Sequence, residues 1–150
     1  MDNRKNVLIL CTRNSARSQM AEALLRKHAG DRFNVHSAGL SPERIHPLVA
    51  PVMREIGLDV SGQQSKGLQV YLGRLTIHYL IVVCANAERN CPKIFPGLTE
   101  RLFWPFDDPA TVEGTGDVQL EAFRRVRDQI DARVRGWLRA LDEDEKPQRG

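Results

Sequence analysis

The chain lacks any long hydrophobic run, which argues against a membrane-spanning protein. Apolar residues make up 41% of its 150 residues, but no run approaches the roughly 20 residues that a transmembrane helix needs. The first apolar run, residues 7–10, is too short to be the core of a secretion signal. The sequence therefore predicts a soluble cytoplasmic protein with no membrane partner, of a length typical of one α/β domain.

A strong charge of either sign is also missing. The chain has 22 Lys and Arg against 19 Asp and Glu, a net charge of +3. A nucleic-acid-binding domain would need a clustered basic surface. Many of the arginines fall instead in one C-terminal helical pattern, where a solvated helix face is the simplest interpretation. We therefore expect no nucleic-acid partner.

Cysteine is scarce, with three residues at positions 11, 84 and 91. An odd and small number argues against a structural disulfide framework and favours catalytic or redox thiols. There is no Cys-x2-Cys pair, and the four histidines are scattered along the chain. The spacing gives no support for a structural zinc site, and we predict no bound metal.

The pattern of apolar residues predicts an α/β fold with a parallel sheet. The predicted elements are a strand at 6–10, a helix at 18–29, a strand at 33–37, a helix at 47–57, a strand at 78–84, a strand at 101–106 and a last amphipathic helix from 117 to about 141. We expect Ser18 and Asp117 to cap their helices. Residues 1–141 are predicted to form a single domain, and the charged segment 142–150 is predicted to be disordered.

The most informative stretch follows the first strand and reads Cys-Thr-Arg-Asn-Ser-Ala-Arg-Ser from Cys11 to Ser18. Backbone N–H groups of a turn that enters a helix lack internal partners and can bind an oxyanion. The guanidinium of Arg17 can hold two oxygens of a tetrahedral anion. The same positive field is expected to lower the pKa of the Cys11 thiol and make it a nucleophile. The predicted anion loop comprises Thr12, Arg13, Asn14, Ser15, Ala16, Arg17 and Ser18.

Two further strand ends carry chemically useful side chains. Cys84 ends the strand at 78–84, and Asp108 follows the strand at 101–106. In parallel sheets ligands bind at the carboxyl ends of the strands, so these residues are expected near Cys11. Cys91 is expected in a Pro- and Asn-containing loop over 85–97. The alternatives are that Cys84 is a core thiol, that Cys91 is incidental, and that Asp108 only forms a turn.

Together these motifs resemble the low-molecular-weight tyrosine phosphatase fold and, more narrowly, the thioredoxin-coupled arsenate reductases built on that fold. The resemblance spans residues 7 to about 138. Its carriers are CTRNSARSQMAE at 11–22, Cys84-x6-Cys91-Pro92 and Phe106-Asp107-Asp108-Pro109-Ala110. It implies a three-layer α/β sandwich around a four-stranded parallel sheet. The pair of Cys84 and Cys91 belongs to the reductases and separates them from the phosphatases.

The resemblance implies that the chain reduces arsenate to arsenite. Cys11 would attack arsenate held by the loop and by Arg17, with Asp108 as general acid. The Ser18 hydroxyl would donate to the Cys11 thiolate and keep it ionised.

Two more thiols would then complete the reaction by disulfide exchange. Cys84 would attack Cys11 and release arsenite, and Cys91 would attack Cys84. No bound cofactor is expected, because an external dithiol would supply the electrons. Thioredoxin, glutaredoxin and glutathione all remain open as the reductant, and a monomer is the default expectation.

The sequence departs from the family pattern at three positions. Arg13 stands where the family commonly has Gly, so it is either strained or directed outward. Ala16 replaces a second loop cysteine that many phosphatases carry. Lys66 stands where some reductases use an aspartate to help bind potassium near Asn14, Glu22 and Ser37, so we expect its ammonium group to replace that ion.

Two other functions remain open from the sequence. The first is a protein-tyrosine phosphatase, a hydrolase that uses the same loop. Against it, Asp108-Pro109 is followed by Ala110 and Thr111 rather than by the aromatic residues that would flank a phosphotyrosine ring. The second is a non-catalytic oxyanion or redox sensor.

Overall fold

The computed structural model describes residues 3–92 and 97–145, in which parallel strands alternate with helices. The strands are β1 (Lys5–Cys11), β2 (Phe33–Gly39), β3 (Tyr79–Val82) and β4 (Glu100–Phe103). The helices are α1 (Arg17–Ala29), α2 (Val49–Arg54), α3 (Ala85–Asn90) and α4 (Gly116–Glu145). Single 3₁₀ turns lie at Leu68–Val70 and Pro109–Thr111.

The four strands form one all-parallel sheet in the order β2-β1-β3-β4. Consecutive side chains of a strand point to opposite faces, and Val7, Leu8, Ile9 and Leu10 of β1 are all at most 1% exposed. Both faces of the sheet are therefore covered, as expected for an α/β fold. Each of these buried side chains contributes about 1.5–3 kcal/mol of hydrophobic stabilisation. The predicted three-layer fold with a four-stranded parallel sheet is confirmed.

The last helix packs along α1 and closes the core. Its buried positions, Phe123, Val126, Ile130, Val134 and Trp137, recur every three or four residues as the sequence predicts. Trp137 stacks on Phe33 of β2, with ring centroids 5.6 Å apart.

The ends of α4 differ from the prediction. The helix begins at Gly116, so Asp117 lies in the first turn instead of capping it. It also extends through residues 142–145, and Asp142 accepts a hydrogen bond from Arg32 at 2.8 Å. That part of the predicted disordered segment is therefore helical, while residues 146–150 lie outside the described part of the chain.

Three other local predictions need correction. Helix α1 begins at Arg17 after Ala16, which makes no side-chain cap, so Ser18 lies inside the helix. The predicted helix at 47–57 is regular only over Val49–Arg54. The predicted loop at 85–97 begins with the helix α3, and residues 93–96 of it lie outside the described residues.

Among the helices within residues 3–92 and 97–145, none is both long and apolar enough to cross a bilayer.

Candidate active site

The carboxyl ends of β1, β3 and β4 meet at one edge of the sheet, as predicted. Cys11 is the last residue of β1, Cys84 follows β3, and Asp108 follows β4. A cleft of about 390 Å³ opens there. It is lined by Cys11, Thr12, Arg13, Ser15, Ala16, Arg17, Asn86, Asp108 and Ala110. Most of the predicted anion loop therefore faces one cavity, together with the predicted nucleophile and general acid.

Asn14 shapes the loop from beneath the cleft. Its backbone φ of 51° is left-handed, and among the described residues no other non-glycine residue has a positive φ. Asparagine tolerates this conformation better than most other residues that have a side chain. Its buried amide donates to the hydroxyls of Ser18 (2.8 Å) and Ser37 (2.9 Å), and its Oδ1 accepts from the Lys66 N–H (2.9 Å). These bonds tie the loop to α1 and β2.

Arg13 carries no left-handed strain, because the left-handed residue of the loop is its neighbour Asn14. Its side chain is 59% exposed and pairs with Glu43 at 3.1 Å. The outward orientation that the sequence analysis left open is therefore the observed one. The carboxylate of Glu43 offsets the positive charge that Arg13 brings to the mouth of the cleft.

Gly39, at the end of β2, is a loop-supporting residue that sequence reasoning missed. A Cβ atom at this position would lie 2.7 Å from the Thr12 carbonyl oxygen and 2.8 Å from the Asn14 nitrogen. Both are backbone atoms, so they cannot move aside without shifting the loop. The backbone N–H groups of Leu40 and Ser41 also donate to the carbonyls of Cys11 (3.2 Å) and Thr12 (2.8 Å).

Arg17 lies across the cleft from the nucleophile and contacts the segment that carries Asp108. Its Nη1 donates to the Phe106 carbonyl at 2.9 Å, and its Nη2 lies 3.6 Å from Asp108 Oδ2. Asp108 also accepts a hydrogen bond from the Ala110 N–H at 3.0 Å, which caps the 3₁₀ turn. Asp108 is therefore both a turn former and a carboxylate beside the cleft, so the two interpretations of this residue do not compete.

Cys11 and Cys84 are close enough for their thiols to share a hydrogen bond. This bond and burial raise the pKa of Cys11, although Arg17 and the Thr12 N–H act to lower it. The same bond lowers the pKa of Cys84 to about 5. The two sulfurs therefore titrate as one coupled pair, in which this hydrogen bond favours the thiol on Cys11 and the thiolate on Cys84. The loop and Arg17 thus act in the predicted direction, but burial and the second thiol, which the prediction did not consider, outweigh them.

The predicted hydrogen bond from Ser18 to Cys11 is also not formed. The Ser18 hydroxyl instead accepts from Asn14, and no hydrogen bond between Ser18 and Cys11 exists within the residues described. Ser18 is fully buried, and in this state it supports the loop rather than the nucleophile.

Cys84 has further hydrogen-bonding partners that the sequence did not reveal. Its sulfur lies 3.3 Å from the Thr12 hydroxyl, and it also accepts from the backbone N–H of Ala87. Thr12 in turn accepts from the Asn86 amide at 2.9 Å. Asn86 lies in the first turn of α3 and lines the cleft, at a position that no sequence motif marks.

Cys91 lies at the opposite end of α3 from Cys84 and is buried. At 1.5 Å per residue, seven positions of helix separate their Cα atoms by roughly 10 Å. The Cys91 sulfur accepts a hydrogen bond from Arg101 Nη2 at 2.8 Å. The same nitrogen of Arg101 also pairs with Glu88 Oε1 at 3.0 Å. Cys91 therefore lies directly after the helix, at the start of the remaining loop, and Arg101 is a partner that the sequence did not reveal.

The predicted replacement of a potassium ion by Lys66 has a geometric basis. Lys66 Nζ lies 3.6 Å from Glu22 Oε1 and donates to the Gln64 carbonyl at 2.8 Å. Glu22 also accepts from the Ser37 hydroxyl at 2.7 Å. The Lys66 ammonium thus faces the buried carboxylate behind the loop, which also pairs with Arg26 at 3.1 Å. Over residues 3–92 and 97–145, no group of three or more His, Cys, Asp or Glu side chains is placed to hold a metal.

Comparison with known proteins identifies the family. The model of the low molecular weight phosphotyrosine protein phosphatases matches residues 6–147. The chain belongs to this family. Within it, the chain is 41% identical over 134 residues to an arsenate reductase of Halalkalibacterium halodurans, an alignment that covers 89% of this chain and 94% of that protein.

Solved structures of the family resemble the chain in the same way. An arsenate reductase in its phosphate-binding state superposes with a TM-score of 0.74 and 32% identity, covering 91% of this chain and 98% of that one. A thioredoxin-dependent arsenate reductase of Corynebacterium glutamicum superposes with a TM-score of 0.68 and 30% identity, covering 95% of this chain and 64% of that one.

Proposed function

We propose that this member of the family reduces arsenate to arsenite through a relay of Cys11, Cys84 and Cys91. The observation that supports the proposal is the proximity of the Cys11 and Cys84 thiols beside the predicted anion loop. A hydrolase needs one thiol there, whereas a reductase needs a second within bonding reach. The relatives named as arsenate reductases support the same substrate.

In the first step, the proton of the Cys11 thiol passes to the neighbouring Cys84, the resulting Cys11 thiolate attacks the arsenic of arsenate, and one arsenic–oxygen bond breaks. Loop N–H groups and Arg17 hold the remaining oxygens as negative charge builds. Asp108 protonates the oxygen that leaves. Entry of the anion frees Arg17 from its resting contacts with Asp108 and Phe106. The product is a Cys11–S–As(V) adduct.

In the second step, the Cys84 thiolate attacks the sulfur of Cys11. A disulfide forms, the sulfur–arsenic bond breaks, and its electron pair reduces As(V) to As(III). Arsenite leaves with its oxygens. The attacking species is the Cys84 thiolate, and once Cys11 is bound to arsenic the Thr12 hydroxyl, the Ala87 N–H and the charge of Arg17 still favour it.

In the third step, Cys91 attacks Cys84 and releases the Cys11 thiolate. Because the two residues flank α3, this exchange requires the helix to unwind. The helix is only six residues long, and isolated helices of this length are marginal in water. The Cys84–Cys91 disulfide is then reduced by an external dithiol.

For the reductant we propose thioredoxin, supported by the similarity to the thioredoxin-dependent reductase. Such a system keeps thiols reduced in the cytoplasm, where we place the protein. No bound cofactor is needed because the electrons come from the dithiol. The monomeric state remains a prediction.

Hydrolysis of phosphate monoesters is the second candidate, favoured by the shared loop and by the family itself. The residues that line the described cleft include no aromatic side chain to hold a phosphotyrosine ring. We therefore expect phosphatase activity to be weak and to persist without Cys84 and Cys91.

The test is a coupled assay with arsenate, thioredoxin, thioredoxin reductase and NADPH. Arsenate-dependent loss of NADPH is expected for the wild type and is expected to vanish in Cys84→Ser and in Cys91→Ser. Hydrolysis of p-nitrophenyl phosphate by the same variants serves as the control for an intact loop. Turnover of arsenate that survives in both variants would remove the relay.

A further inference from the structure

A chain of four side chains runs from the surface of α3 to the thiol of Cys84. Asn90 donates to Asn86, Asn86 donates to the Thr12 hydroxyl at 2.9 Å, and Thr12 lies 3.3 Å from the Cys84 sulfur. In the last contact the distance alone permits either atom to be the donor. The direction matters, because a donor to sulfur favours the thiolate, whereas an acceptor favours the thiol.

The backbone carbonyl of Asn86 settles the direction. Asn90 contacts this carbonyl at 2.8 Å, and a carbonyl can only accept, so the contacting atom of Asn90 is its amide nitrogen. The same nitrogen lies 3.0 Å from the Asn86 side chain, which therefore turns its oxygen toward Asn90. The amide nitrogen of Asn86 is then the atom that faces Thr12.

From this orientation we infer that Asn86 is a positioning residue that fixes the Thr12 hydroxyl as a donor to Cys84. The Asn86 amide nitrogen can only donate, so it occupies a lone pair of the hydroxyl oxygen. The hydroxyl hydrogen is left to point at its other neighbour, the Cys84 sulfur. In this chain of hydrogen bonds Asn86 does not contact Cys84 directly, so it acts only through Thr12.

This role of Asn86 rests on the proposed function, in which the Cys84 thiolate is the species that attacks Cys11. Other groups face the same sulfur: the Cys11 thiol from β1, the Arg17 guanidinium from α1 and the Ala87 N–H from α3. None of these three groups belongs to the chain of hydrogen bonds that links Asn86 to Cys84. An effect of Asn86 on Cys84 should therefore depend on the Thr12 hydroxyl.

The experiment measures the pH dependence of Cys84 alkylation by iodoacetamide in the reduced full-length chain, with the Cys84 peptide quantified by mass spectrometry. The midpoint is expected to rise by about one pH unit in Asn86→Ala, a roughly tenfold loss of thiolate at pH values below the midpoint. In Thr12→Val the midpoint is expected to rise as well. Adding Asn86→Ala to Thr12→Val is expected to change nothing further.

Arg89→Ala is the matched control, because Arg89 is exposed on the same short helix and takes no part in the chain of hydrogen bonds. It is expected to leave the midpoint of the wild type unchanged. A midpoint unmoved by Asn86→Ala overturns the inference, and so does a shift that persists in the Thr12→Val background. No arsenate is used, so this result does not depend on whether the chain reduces arsenate.

Discussion

Arg101 Nη2 lies 2.8 Å from the sulfur of Cys91, and the same guanidinium also pairs with Glu88. It additionally donates to the carbonyls of Glu88 (3.3 Å) and Pro92 (3.2 Å). One side chain of β4 thus holds both the third thiol and the end of the helix that separates it from Cys84.

Removing this guanidinium should make Cys91 harder to ionise. Burial raises the pKa of Cys91, and the charge and hydrogen bond of Arg101 act against that rise. In Arg101→Gln we expect the pH midpoint of Cys91 alkylation to rise by one to two units, at roughly 1.4 kcal/mol per unit. Arg101→Lys should recover part of the effect. Arg89→Gln, at an exposed position, makes the same change in charge and should leave the midpoint of Cys91 alkylation unchanged. Equal midpoints in Arg101→Gln and wild type would show that Arg101 does not favour the Cys91 thiolate.

Lys66 should make catalysis independent of potassium. Its ammonium already lies beside the buried carboxylate of Glu22, so replacing potassium with tetramethylammonium is expected to leave the arsenate-dependent rate unchanged. In Lys66→Gln the carboxylate loses that charge, and we expect potassium to stimulate the variant. Strong stimulation of the wild-type rate by potassium would show that this interpretation of Lys66 is incorrect.

Gly39 should be required for anion binding. In Gly39→Ala the added carbon would meet backbone atoms of Thr12 and Asn14 at less than 3 Å. The loop must shift, and we expect at least a tenfold weaker affinity for phosphate, about 1.4 kcal/mol, measured by calorimetry. Gly62→Ala is the control, since an added carbon there meets nothing within 4 Å. Equal affinities of the two variants would argue against a supporting role for Gly39.

The ion pairs of Glu55 should stabilise the fold above acidic pH. Hydrogen bonds from Arg124, and also from Arg127, lower the pKa of Glu55 to about 2. A carboxylate with a lowered pKa stabilises the folded state above its unfolded pKa near 4.5, and this contribution disappears as the pH falls toward 2.

The matching measurement compares the thermal melting temperature of Glu55→Gln with that of the wild type from pH 7 to pH 2. The wild type should melt higher at pH 7, and the difference should shrink continuously below pH 4.5. A difference that stays constant over this range would mean that the charge of Glu55 has no part in it.

Sequence reasoning predicted the sheet, the anion loop and the strand-end positions of Cys11, Cys84 and Asp108, because these depend on local patterns. It could not foresee contacts between distant segments. The pKa values of Cys11 and Cys84 depend on each other across 73 positions of the chain, and Arg101 reaches Cys91 from another strand. Gly39 was missed, since its role depends on which backbone packs against it.

The short helix α3 was missed for a related reason. Its sequence, Ala-Asn-Ala-Glu-Arg-Asn, contains two asparagines and precedes a proline-containing segment, which favours a loop. The helix forms against β1 and β3, a tertiary contact that propensity does not register. In the proposed relay, Cys91 must therefore be released from the end of this helix before it can reach Cys84.

The most direct test of the relay is to stop it after the second step. Reduced Cys91→Ser protein is mixed with arsenate in the absence of any other reductant, then quenched with acid and analysed by mass spectrometry. The account predicts a disulfide between Cys11 and Cys84, a mass loss of two hydrogens and one arsenite released per chain. Free thiols at both positions with no arsenite formed, or the same yield of arsenite from Cys84→Ser, would contradict it.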